Sequence, residues 1–160
     1  NHEQYVAPAN YNAPLQTVIS GHVSAVTTLS ERVKELGARR IVPLAVSGPF
    51  HTPLMLTAQS ALRSRLKNVL ITNPNISIIS NVTGQPLSAA EEVKLALEKQ
   101  IISPVKWEQS INFLLKAGVD TFVEFGTGRV LINLVRQVTR DVKCYAINDS
   151  ATIETYLKDQ

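Results

Sequence analysis

The chain has 160 residues, 16 Lys plus Arg against 13 Asp plus Glu, a single cysteine and 44% apolar residues. That length suits one ordinary globular domain, long enough to bury roughly two-thirds of its unfolded surface. No run nears the ~18 apolar residues of a membrane helix. One cysteine excludes an internal disulfide or a cysteine-based zinc site and fits a reducing, cytoplasmic setting. A net charge of +3 falls far short of the dense basic stripe of a nucleic-acid binder.

In chain order, Asn10–Pro14 is rich in turn formers, and the β-branched Thr17–Ser20 that follows predicts a short strand. His22–Leu36 sets Val23, Val26, Leu29, Val33 and Leu36 at helical spacing and stops at Gly37. Ile41–Val46 reads as a strand, with Pro43 placing it at an edge or a bulge. Ser47–His51 is a loop, and Thr52-Pro53 suits a helix start. Leu54, Ala58, Ala61, Leu62, Leu66 and Val69 then share one helical face, with Arg63, Arg65 and Lys67 largely off it. Ile76–Ser80, nearly all apolar or β-branched, predicts a buried parallel strand. Ser88 with Glu91 three residues on predicts a capping box for a helix reaching about Ile101, and Ser103-Pro104 breaks the chain.

Beyond that break, Trp107–Ala117 reads as a helix ending at Gly118, and Thr121–Phe125 as a strand. Gly126-Thr127-Gly128 makes a tight turn into a helix over Arg129–Thr139, carrying Val130, Leu131, Leu134, Val135 and Val138. A last strand, Lys143–Ile147, and a short helix from Thr152 close the chain. Alternating strands and helices predict an α/β fold with a largely parallel sheet. The residues up to about Leu44 read differently, as part of a small appended subdomain that lacks its opening strand and helix.

Chemistry-bearing residues are few. His2 lies near the terminus, and His22 opens a helix where a polar residue is expected anyway. His51 ends a loop after a predicted strand, flanked by Gly48, Pro49 and Pro53 that hold the loop in a defined shape. Spacing alone leaves both a catalytic and a plain loop role open to it. The third glycine of a dinucleotide fingerprint would fall at Leu131, so the turn at Gly126 and Gly128 reads as a packing turn more readily than a phosphate cradle. No Walker sequence, HExxH or calcium loop occurs, and no metal site is expected. A G-x-S-x-G nucleophile elbow is also missing, and Cys144 reads as an inert thiol within a strand.

Several blocks converge on one family. Asn10-Tyr11-Asn12-Ala13-Pro14, Val18-Ile19-Ser20-Gly21 and Pro43-Leu44-x-Val46-Ser47-Gly48-Pro49-Phe50-His51-x-x-Leu54-Met55 resemble malonyl-CoA:acyl carrier protein transacylases. So do Ile79-Ser80-Asn81-Val82, Gln100-x-x-Ser103-Pro104-Val105-x-Trp107 and Phe122-Val123-Glu124-Phe125-Gly126-x-Gly128-x-Val130-Leu131, all in the family's order from about residue 5 to residue 150. There are two small departures. Thr127 and Arg129 stand in a turn that is usually Gly-Pro-Gly-Lys, and Leu15 replaces a common glycine.

The resemblance implies an α/β-hydrolase-like large subdomain with a ferredoxin-like small one inserted. Residues 1–44 would be the tail of the small subdomain and residues 45–160 the closing part of the large one. It covers only the family's C-terminal half. The glutamine of an early G-Q-G-S turn, the serine of G-H-S-x-G and the arginine that pairs with the malonyl carboxylate have no counterpart here. An opening of NHEQYVAPAN, without methionine or signal peptide, likewise points to a start further upstream. A core cut at this point would expose the face meant for the absent strands, so poor solubility in isolation is expected.

By the same resemblance His51 is the catalytic histidine, and Gln100 supplies the main-chain carbonyl that replaces the usual Asp or Glu behind it. Malonyl-CoA is the substrate, acyl carrier protein the acceptor, and no cofactor is required. Phe50 matches the Phe-His pair of malonyl-selective members, although packing beside the histidine accounts for it equally well. Asn12 and Gln16 stand where the family approaches the pantetheine arm. Arg136 falls at a basic position facing CoA phosphate or the acidic carrier, or simply complements a helix C-terminus. The alternative is a non-catalytic module of the same fold that binds a carrier protein or CoA.

Overall fold

Strands β1 (Val6–Ala13) and β2 (Gln16–Gly21) run antiparallel and turn over Pro14 and Leu15 in the computed structural model, which describes residues 4–159; His2 lies outside them. The register slips twice, leaving Ala9 and Asn12 as extra residues on β1, and such bulges re-aim a side chain. Asn10–Ala13 is therefore strand, not turn as its composition suggested. Asparagine and proline disfavour a strand in isolation, but β1 is held from both sides. Val105 donates its N–H to the Ala9 carbonyl at 2.8 Å and accepts from the Tyr11 N–H at 2.8 Å, opposite the ladder with β2.

Helix α1 (Val23–Glu35) starts at His22, whose N–H donates to the Tyr5 carbonyl at 2.8 Å and whose Nδ1 accepts from the Tyr5 N–H at 2.9 Å. His22 thus ties the helix to the base of the hairpin. Gly37, at φ 95, ends it as expected. The buried face is narrower than the predicted stripe, since Val23 and Leu36 are 84% and 86% exposed.

Two predicted strands are corrected. Ile41–Val46 forms no ladder, and its apolar side chains stand exposed. Ile76–Ser80 reduces to β3 (Ile78–Ile79), which pairs antiparallel with β4 (Pro86–Leu87) instead of lying buried in a parallel sheet. Both runs have the right side chains for a strand, yet a strand exists only with a hydrogen-bonding neighbour.

Between these runs, a 3₁₀ turn (Pro53–Met55) leads into α2 (Leu56–Leu66), and α3 (Ala90–Gln100) packs on α2. The helix ends at Leu66, and Val69 is exposed instead of extending its face. The cap of α3 is one residue later than predicted. The carboxylate of Glu92, not Glu91, accepts from the Ser88 N–H (2.8 Å), the Ser88 hydroxyl (3.0 Å) and the Ala89 N–H (3.1 Å), because the first helical residue is Ala90.

After α4 (Trp107–Lys116) come β5 (Thr121–Phe125), α5 (Val130–Val138), β6 (Lys143–Ile147) and α6 (Ser150–Lys158). The strands β5 and β6 pair in parallel around the α5 crossover, with both bounds as predicted from sequence. Among the described residues they form the one parallel strand pair, so the sheet is less extensive than expected. Helices α4 and α5 pack on β1, and Ala9, Ala13, Ile111, Ile132, Val135 and Ile147 make the core between them. The described helices include none long and apolar enough to cross a membrane.

Candidate active site

The loop Ser47–His51 is shaped residue by residue. Gly48 leaves room for the Phe50 ring, whose nearest carbon would lie 3.4 Å from a Cβ added there. His51 adopts φ 61, a left-handed conformation that a non-glycine residue holds only when its surroundings enforce it. Thr52 supplies part of that enforcement. It is fully buried, its hydroxyl donates to the Pro49 carbonyl at 2.6 Å, and its own carbonyl accepts from the Met55 N–H at 3.0 Å.

The strained turn aims the half-buried His51 ring at the C-terminus of α3. Its Nδ1 lies 2.9 Å from the main-chain oxygen of Gln100. A carbonyl only accepts, so Nδ1 is the protonated nitrogen and the lone pair rests on Nε2. The Gln100 side-chain amide approaches the same Nδ1 at 3.3 Å but directs its N–H to the Ser103 carbonyl at 2.9 Å. Gln100 is the last residue of α3, so its carbonyl is one of those a helix end leaves without an internal partner. The helix dipole adds partial negative charge there. A neutral carbonyl at a helix end thereby supplies both orientation and charge, the two services a carboxylate gives a histidine in a hydrolytic triad.

The remaining sequence-predicted residues gather elsewhere. Asn12, at the second bulge of β1, and the exposed Gln16 flank the hairpin turn. Ala13, Pro14 and Leu15 of that turn line a cleft of about 520 Å³ together with the exposed Arg136 and Arg140. His51 does not line it. The two places are connected through the backbone, because the loop after Gln100 leads to Val105, which bridges to β1. At the helix start after Gly126 and Gly128, the carboxylate of Glu124 takes the amides of Leu131 and Ile132. Cys144 sits half-buried in β6. Sequence reasoning overlooked Thr52 and Gln59. A polar residue on an otherwise apolar helix face was the available signal for Gln59, and a threonine before a helix-starting proline was that for Thr52.

His51 thus stands strained in its loop, with its ring against a helix-terminal carbonyl on an α/β scaffold. Residues 2–160 match the acyl transferase domain family, and the chain belongs to it. The malonyl CoA-acyl carrier protein transacylase of Bacillus subtilis is 44% identical over 146 residues, covering 91% of this chain and 46% of that protein. A malonyl-transacylase solved in complex with a type II PKS acyl-carrier protein superposes with a TM-score of 0.95 at 34% identity, over 99% of this chain and 52% of its own. The acyl-carrier-protein S-malonyltransferase of Burkholderia pseudomallei gives 0.93 at 34% identity, over 97% and 50%. The chain spans about half the length of the curated relatives it matches.

Proposed function

We propose that this chain is the C-terminal half of a malonyl-CoA:acyl carrier protein transacylase serving fatty acid biosynthesis in the cytoplasm, with the nucleophilic serine on the N-terminal half. The observation that carries the reading is the His51 Nδ1–Gln100 carbonyl contact at 2.9 Å, which leaves Nε2 as a base. In the first half-reaction Nε2 takes the serine hydroxyl proton as oxygen attacks the thioester carbon of malonyl-CoA. The C–S bond then breaks, and the imidazolium returns the proton to the departing CoA sulfur. The phosphopantetheine thiol of acyl carrier protein reverses these steps, giving malonyl-carrier and free serine, and no cofactor enters. A positioned base of this kind contributes about 10²–10⁴-fold in rate.

In this reading Phe50 crowds an α-methyl group on the acyl chain. Asn12 and Gln16 approach the pantetheine arm, and Arg136 faces CoA phosphate or the acidic carrier. Residues 1–44 close the ferredoxin-like small subdomain and residues 45–160 the large one. Ile41, Val42, Leu44 and Val46, with Leu70 and Ile76, are all exposed. We assign these exposed apolar side chains to contact with the N-terminal half. The decisive experiment joins this chain to a half bearing G-H-S-x-G and follows malonyl transfer by mass spectrometry of the serine. A malonylated serine that disappears with His51→Ala supports the reading. Turnover near that of the unmodified enzyme in the His51→Ala variant removes His51 from the mechanism.

A further inference from the structure

The carbonyls of the last turn of α3 are all engaged. The Gln100 oxygen accepts from His51 and, at 3.5 Å, from the Ser103 N–H, the Lys99 oxygen from the Ile102 N–H at 3.1 Å, and the Glu98 oxygen from Nε2 of Gln59 at 3.1 Å. Gln59 is only 7% exposed and stands on α2, the helix that follows His51. Glu98 is held a second time, its carboxylate 2.9 Å from Nε of Arg63 on the same helix. An apolar side chain would occupy the Gln59 position at less desolvation cost, so a buried amide there needs its hydrogen bond. That bond ties the element carrying His51 to the helix end carrying its acceptor. On the other side of the ring, the buried Thr52 hydroxyl closes the turn that holds His51 at φ 61.

We propose that Gln59 and Thr52 are positioning residues for proton transfer by His51, an inference that rests on the reading of His51 as the general base. Thr52 fixes the imidazole, and Gln59 fixes the carbonyl to which it donates. Neither touches the reacting atoms. Without the Thr52 hydroxyl the Pro49 carbonyl loses its donor, and the left-handed His51 backbone relaxes toward negative φ and swings the ring. Without the Gln59 amide the end of α3 frays to water, and the Gln100 carbonyl drifts. A reacting group displaced by an ångström costs up to about 10²-fold in rate.

The test uses the complete enzyme with Thr52→Val and Gln59→Met, both close in shape to the native side chains, and Thr52→Ser as the rescue. Each of the first two is expected to lower kcat by about 10-fold with KM changed less than about twofold, because the loss falls on the proton-transfer geometry. Thr52→Ser restores the rate. Imidazole ¹⁵N spectra supply a readout that loss of stability does not move. The native His51 carries its proton on Nδ1, and both variants shift the population toward Nε2–H. Native kcat in folded Thr52→Val and Gln59→Met overturns the proposal, and so does a lost rate with the Nδ1–H tautomer intact. A native enzyme with His51 in the Nε2–H form overturns it without any variant. Failure of the base assignment is distinguishable, since it appears only as persistent turnover in His51→Ala.

Discussion

The carboxylate of Glu124 caps α5 from the strand that precedes it, accepting from the Leu131 N–H at 3.1 Å and from the Ile132 N–H at 2.9 Å. Gly126 and Gly128, at φ 132 and 93, let the chain turn sharply enough to bring strand and helix together. A negative group at a helix N-terminus satisfies free donors and complements the dipole. Glu124→Ala is expected to cost about 1–2 kcal/mol, the usual worth of an N-cap, lowering Tm by roughly 2–8 °C for a protein of this size. An unchanged melting curve would count against the cap.

Because the acceptor of His51 is main-chain, the two partners respond differently to substitution. His51→Ala is expected to lower acyl transfer by about 10²–10⁴-fold. Gln100→Ala keeps the carbonyl, loses the amide's 3.3 Å approach to His51 Nδ1 and its bond to Ser103, the latter worth about 0.5–1.5 kcal/mol of stability, and should retain activity within about tenfold of native. Steady-state kinetics of both variants check this. Equal losses would mean that the Gln100 side chain, not its carbonyl, serves the histidine.

Phe50 bears on substrate choice. The ring lies over Gly48 beside His51 and is 44% exposed, free to meet an acyl group. Phe50→Ser is expected to relax the preference for malonyl over methylmalonyl thioesters by roughly 10-fold or more, the range one methyl group can confer. The ratio of the two kcat/KM values measures it. An unaltered ratio assigns the ring to packing alone.

Acidification should loosen the starts of α3 and α6. The Glu92 carboxyl is held below its ordinary range by the main-chain N–H of Ser88, then that of Ala89, then the Ser88 hydroxyl. The Asp149 carboxyl is held below its range by the main-chain N–H of Thr152 and then its hydroxyl. A folded-state pKa below the unfolded one adds stability that is complete above about pH 4–4.5 and is lost as pH falls through the folded values. The amide signals of Ser88 and Thr152 should therefore titrate with midpoints below those of the same carboxyls in unfolded peptides. Midpoints at or above the peptide values contradict the two caps.

Short-range residue order was enough for much of this chain. Thr121–Phe125 and Lys143–Ile147 read as strands to the residue, and Gly37 and Gly118 stop their helices where φ turns positive. These signals are local, set by side-chain periodicity and by backbone conformations only glycine adopts freely. The family resemblance of the blocks around His51 and Gln100 singled out the two residues that the fold brings into contact.

Long-range contacts decided the rest. Asn10–Ala13 is strand because it pairs with β2 on one side and bridges to Val105 on the other, whereas Ile41–Val46 and Ile76 carry strand-like side chains without a ladder. The acceptor of His51 lies 49 positions away and that of Gln59 lies 39, and both are backbone oxygens, which every residue possesses and no side-chain pattern encodes. Residue types could point to a histidine in a shaped loop. Only the packing of α2 on α3 gave its ring an oriented partner, because a hydrogen bond needs a distance and a direction that the folded chain alone supplies.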